Sequence, residues 1–143
     1  MKALLDVNVI VDVLARRQPF FTDSFAVLQL ASQRRFDGFI AAGSVADIDY
    51  ILRRNGLNRA QARSALVNLT QILAVEDTTG RDIAEAFLQL TSDLEDAVLM
   101  ASAQRVKADA IITRDQTDFI QSPVPALSPA EFLRDLKGGG ADR

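Results

Sequence analysis

The 143-residue sequence contains no cysteine, no histidine and no tryptophan. Without cysteine there is no disulfide framework, no zinc–thiolate centre and no cysteine nucleophile, and the composition fits a reducing compartment. Without histidine, the Ser–His–Asp triad, the histidine-dependent zinc hydrolases and ribonuclease chemistry run by paired imidazoles are all excluded. Seven glycines and four prolines leave no low-complexity tract ahead of the last few residues. The carboxylate at position 6 comes too early for a secretory leader, and no run approaches the roughly 18 apolar residues of a membrane span. A cytoplasmic chain with no membrane partner is therefore expected.

A basic surplus is missing too. The net charge is −3 and the isoelectric point about 4.9, which argues against a passive nucleic-acid coat. Yet 13 of the 16 basic residues are arginines, the side chain suited to bidentate phosphate contacts. The doublets Arg16-Arg17, Arg34-Arg35 and Arg53-Arg54 also have a simpler reading, as cations closing helices.

What is present is the material of one compact domain, with 48% hydrophobic and 24% charged residues. Short apolar runs at 3–7, 39–42, 72–75 and 110–113 predict four strands, and amphipathic segments between them predict helices. Thr22 or Asp23, Ser44, Asn58 and Ser92 are the expected helix caps, and Ser128-Pro129 opens a last helix over 129–137 that Gly138-Gly139-Gly140 should end. Alternation of strand and helix without hairpin signals gives an α/β fold, a single parallel sheet flanked by helices on both faces. The expected domain is 1–137, with 138–143 as a flexible C-terminal tail.

In such a sheet, ligands gather at the carboxyl ends of the strands. Asp6 closes the first strand, and Asp115 follows the fourth by two residues. Asp47 lies in the first turn of the helix after strand two, and Asp96 at the start of the helix before strand four. Each has a local reading: Asp47 can complete a cap, Asp96 can answer a helix dipole and Asp115 can serve a turn. Asp6 is harder to assign that way, because a carboxylate closing an apolar strand is costly unless paired or metal-bound. Ionised acids gathered at one rim need a cation, and oxygen-only donors select Mg²⁺, with Mn²⁺ as a substitute. Such ions activate water for in-line attack on phosphorus, so the implied chemistry is phosphodiester hydrolysis.

Four blocks carry a resemblance to the PIN-domain ribonucleases of the VapC toxin type: residues 4–14 (LLDVNVIVDVL), 44–52 (SVADIDYIL), 93–97 (DLEDA) and 111–119 (IITRDQTDF). They stand in order across about 135 residues. The resemblance implies a PIN-like α/β/α sandwich, a Mg²⁺-dependent endoribonuclease acting on RNA, a cognate antitoxin partner and a homodimer. By position, Asp6, Asp47, Asp96 and Asp115 would be catalytic and metal-binding, with Asn8 and Thr113 in support. Asp93 and Asp118 are further supporting candidates, each equally suited to a capping or solvated role. The family more often carries Glu where Asp47 stands, one methylene longer. Two other readings compete: a catalytically weak PIN domain serving as a protein-binding module, and a receiver-type phosphoacceptor, against which Lys107 precedes the fourth strand instead of following it. The helix of Phe20, Phe21, Phe25 and Leu28 and that of Ala62, Leu66 and Leu69 are expected either to form core or to frame a groove for a partner helix.

Overall fold

The computed structural model describes residues 1–90 and 92–141. The order of elements is β1 (Lys2–Leu5), α1 (Val7–Leu14), α2 (Phe21–Ser32), β2 (Asp37–Ala41), α3 (Val45–Arg54), α4 (Arg59–Leu69), β3 (Ala74–Glu76), α5 (Gly80–Ala86), α6 (Leu94–Arg105), β4 (Ala110–Ile112), β5 (Ala126–Leu127) and α7 (Pro129–Ala141). All neighbouring strands pair in parallel, in the order β3-β2-β1-β4-β5.

Strand residues alternate between two cores because successive side chains leave a strand on opposite faces. Ala3, Leu5, Ile40, Ala110 and Ile112 pack under α1, α2, α3, α4 and α7. Leu4, Phe39, Ala41 and Ile111 pack under α6, against Leu99, Met100 and Ala103. Both sheet faces are therefore covered, as the apolar strands require. From β1 the chain winds outward to β2 and β3, then returns through α5 and α6 to β4 and β5 on the other side. The order reverses between β1 and β4, so the crevice of this sheet opens at their carboxyl ends.

Several local expectations change. Strand β3 starts at Ala74, because the amides of Ile72 and Leu73 still donate to the Leu69 carbonyl and prolong the turn of α4. Strand β5 has only two residues, too few to show a period. Helix α2 begins before Thr22 and Asp23: Phe20 is its cap residue, and the Phe21 amide donates to the Arg17 carbonyl at 2.8 Å in place of a side-chain cap. Asp93, one residue after Ser92, caps α6 by accepting from the Glu95 amide at 2.9 Å; a carboxylate there also meets the positive end of the helix. Asn58 does cap α4, in a reciprocal box with Gln61.

Helix α7 runs through Gly138 and Gly139 to Ala141 and does not stop at Lys137. Glycine lowers helix propensity by about 1 kcal/mol but, unlike proline, blocks no backbone bond. The expected tail is thus helical to Ala141, and its last residues, 142 and 143, lie outside the described residues. The stripe of α4 serves the core, whereas of the other stripe Leu28 is buried, Phe21 is half-buried and Phe20 and Phe25 remain exposed. Helix α2 packs on α1 and α7 while α4 packs on α3, so they do not frame a shared groove, and Ala62, Leu66 and Leu69 are buried. Among the described residues, no helix is long and apolar enough to cross a membrane.

Candidate active site

Asp6 is the residue between β1 and α1, and it is 6% exposed. Its amide donates to the Ile112 carbonyl at 2.9 Å, which locks the end of β1 against the end of β4. Its side chain caps α1: Oδ1 accepts from the Val7 amide at 2.8 Å, while Oδ2 accepts from Thr113 Oγ1 at 2.8 Å and Asn8 Nδ2 at 3.2 Å. Asn8 is the bridge to the fourth strand. Its Nδ2 also donates to Asp115 Oδ2 at 3.0 Å, and its Oδ1 accepts from the Arg114 amide at 3.3 Å. The Thr113 hydroxyl in turn accepts from the Asp115 amide at 3.0 Å. Asp6, Asn8, Thr113 and Asp115 thus form one connected set across the strand crossover.

The remaining acids reach this set through charge. Burial pushes the Asp6 carboxyl above its ordinary range, assisted by Asp115 and Asp118. Asp96, half-buried in the first turn of α6, is pushed up to about 7 by burial and by the charges of Asp6, Asp118, Asp93 and Glu95. Glu95 is also raised, by burial first and then by Asp47, Asp6 and Asp93. Asp47 stands exposed in the first turn of α3 and enters the group through Glu95. Asp93 adds its charge while capping α6, and Asp118 is exposed on the 3₁₀ turn after Asp115.

No arginine or lysine answers these charges: the ion pairs among the described residues are Lys2–Glu76, Arg53–Asp49, Arg105–Asp82 and Arg114–Asp12. What compensates locally is the positive end of α1, α3 and α6, each of which starts at this rim. The donor set suits a hard divalent cation, being all oxygen and mutually repelling. Among the described residues, though, no three acidic side chains are already gathered closely enough to hold an ion. The fit is one of charge and donor type, and side-chain rotation has to close the distances.

Two features escaped the sequence. Glu95 belongs to the charged group as fully as Asp96 does, and its position one residue earlier on the same acidic turn was the available signal. Arg114, between Thr113 and Asp115, gives no local signal of its role. Its side chain folds back onto α1, where Nε and Nη2 grip the wholly buried Asp12, the latter at 3.2 Å. A carboxylate inside the apolar stretch Val9-Ile10-Val11-Asp12-Val13 was the sign that a cation must come to it.

The sequence profile described as PIN domain matches residues 2–117 of this chain. No curated protein matches the sequence significantly. Among solved structures, the chain is similar to one of VapBC2 from Rickettsia felis bound to a promoter DNA fragment, with a TM-score of 0.70 at 17% identity over 90% of this chain and 98% of the other. It is also similar to a toxin–antitoxin complex from Klebsiella pneumoniae, with a TM-score of 0.66 at 21% identity over 89% and 97%. A third similar structure is FitAcB from Neisseria gonorrhoeae, with a TM-score of 0.67 at 20% identity over 90% and 98%.

Proposed function

The chain belongs to the PIN-domain family, and from that premise we propose that it is a metal-dependent endoribonuclease, the toxin of a toxin–antitoxin pair held in check by a cognate antitoxin. The observation that carries the nuclease reading is the concentration of carboxylates without a cationic side-chain partner at the β1–β4 crossover, with Asp96 raised to about 7 by burial and then by its acidic neighbours. A fold that leaves such repulsion unanswered is built to take up a cation. Toxin–antitoxin assembly is supported by the likeness to the toxin–antitoxin complex from Klebsiella pneumoniae.

In this reading Asp6, Asp96 and Asp115, with help from Asp47 and Glu95, would hold Mg²⁺, or Mn²⁺ in its place. When bound it supplies charge for a phosphoryl group and acidity for an attacking water. The chain's own residues do the placing. Thr113 and Asn8 fix Asp6 Oδ2, and Asn8 fixes Asp115 with the same amide nitrogen, so two acids far apart in sequence, at the ends of the paired strands β1 and β4, share one donor. Asp96, raised to about 7 by burial first and then by its acidic neighbours, is partly protonated near neutral pH and can hold a proton at the rim. With no histidine in the chain, these carboxylates are the groups available to manage protons at the rim.

A second reading is a PIN domain with weak or no cleavage that acts as a binding module. It is favoured by the absence of three gathered acids among the described residues and by the short, exposed Asp47. Incubating the purified chain with single-stranded RNA in Mg²⁺ and in chelator separates the two. Cleavage that needs Mg²⁺ and disappears in Asp6→Asn establishes the nuclease; equal behaviour with and without Mg²⁺ gives the chain to the binding module.

A further inference from the structure

Beside the acid rim lies a cavity of about 390 Å³ whose lining includes Pro19, Phe20, Asp23, Ser24, Arg114 and Ser128. Arg114 joins it to the rim, because the residues on either side, Thr113 and Asp115, belong to the connected set around Asp6. The Arg114 guanidinium lies over the Phe20 ring, 3.9 Å from its centroid, while Phe20 as a whole remains 41% exposed. Asp12 takes one edge of the guanidinium through Nε and Nη2, and Nη1 stays outside that pair. The Ser24 hydroxyl on the same lining is fully buried and has no hydrogen-bond partner.

The geometry points to this cavity as a subsite for an unpaired nucleobase of a strand whose phosphates cross the acid rim. The inference rests on the RNA-cleaving reading above and names what lies beside the reacting phosphate. An aromatic ring partnered by a guanidinium plane is a stacking platform for bases. The polar groups suit a base better than a phosphate. Arg114 is already neutralised by Asp12, and the exposed Asp23 would repel a second anion. A base, by contrast, offers acceptors to the guanidinium and donors to the Asp23 carboxylate.

The absence of tryptophan makes a direct test available. In an Asp6→Asn background, which prevents cutting, Phe20→Trp carries the chain's only indole emission at the proposed platform. The probes are four single-stranded homopolymeric oligoribonucleotides and an abasic ribose-phosphate chain of equal length. Quenching by at least one homopolymer and none by the abasic chain is expected. In parallel, Phe20→Leu in the same background should weaken binding of the quenching homopolymer about tenfold, the scale of one lost base–aromatic stack, and leave abasic-chain binding unchanged. No quenching by any homopolymer, or equal quenching by the abasic chain, overturns the subsite, including where the cavity receives a peptide side chain instead. Wild-type cleavage is scored separately: RNA cut without base-dependent quenching removes the subsite and keeps the nuclease, and the reverse pattern does the opposite.

Discussion

Asp12 and Asp82 are buried acids with arginines; Asp6 is a buried acid without one. Asp12 has the fork of Arg114. Asp82 receives Arg105 Nε at 2.9 Å and Nη2 at 3.1 Å, the Ser102 hydroxyl at 2.9 Å and the Thr79 amide at 3.0 Å. Burial alone would push the Asp82 carboxyl up, but these partners outweigh it and hold it below the ordinary carboxylate range. Asp6 has only neutral donors, from Val7, Asn8 and Thr113, and its carboxyl is raised. Within one small domain, then, acids that tie elements together are neutralised on the spot, while those at the sheet crevice are oriented and left charged against each other. On the proposed reading, that difference is what a crevice that gives up stability for a ligand would show.

The strongest way to break the comparison is Asp6→Asn. If Asp6 is functional, cleavage should fall about 10²-fold or more, the scale of a group acting on the transition state. Stability should hold or rise, since Asn still caps α1 and removes a charge from the repelling group. Rates on labelled RNA and thermal melting in chelator, taken side by side, decide it. A lowered melting temperature with cleavage intact would make Asp6 structural.

Asp12→Ala and Asp82→Ala should do the reverse. Each strands an arginine that the fold has drawn in. Breaking a fully buried pair costs about 3–5 kcal/mol, and the loss here should be smaller because both arginines keep contact with solvent. The loss should be greater for Asp12, whose partner Arg114 is 24% exposed, than for Asp82, whose partner Arg105 is 34% exposed. Denaturant midpoints measure both, and a neutral result at either site would dissolve the distinction between the two kinds of acid.

This division was only partly visible in the sequence. The strands and the acids at their ends were legible because both signals are local: an apolar run, then a carboxylate where the run stops. The union of Asp6 with Asp115 followed from parallel topology alone, since every strand end in such a sheet faces one rim. The Asp12–Arg114 pair spans 102 positions, and nothing at either end names the other. Strand β5 was hidden because two residues carry no period, and α7 outran its glycines because propensity alone seldom ends a helix. Glu95 was hidden by company: three acids in four residues look like an ordinary helix start, and only the approach of Asp47 and Asp6 distinguishes it.

Asp47→Glu sharpens the comparison at the edge of the rim. Asp47 is exposed and touches the group only through Glu95, and the resemblance of its helix to other PIN domains suggests a longer acid at this place. The added methylene should raise cleavage several-fold at limiting Mg²⁺ and leave the rate at saturating Mg²⁺ nearly unchanged. Cleavage titrated against Mg²⁺ for both proteins tests this; superimposable curves would remove Asp47 from the cation's surroundings.

The two regions should also give the stability a pH dependence of opposite signs. Asp96 has a folded value of about 7 against an ordinary 3.8, so between those limits the folded protein binds a proton that the unfolded chain has lost. Stability therefore declines as pH rises from about 4 to about 7 and levels off above, and the raised Asp6 and Glu95 act in the same direction. Asp82 is depressed, so its contribution is complete above the ordinary carboxylate range and is lost as pH falls below it. In chelator the melting temperature should accordingly peak near pH 4 to 5 and sag toward neutrality. Asp96→Asn should flatten the neutral side without touching the acid side, and Mg²⁺ should do likewise by binding the ionised acids of the folded state. A melting curve that keeps its neutral-side slope in both cases would mean that the repulsion at the crevice is not what limits the stability of the fold.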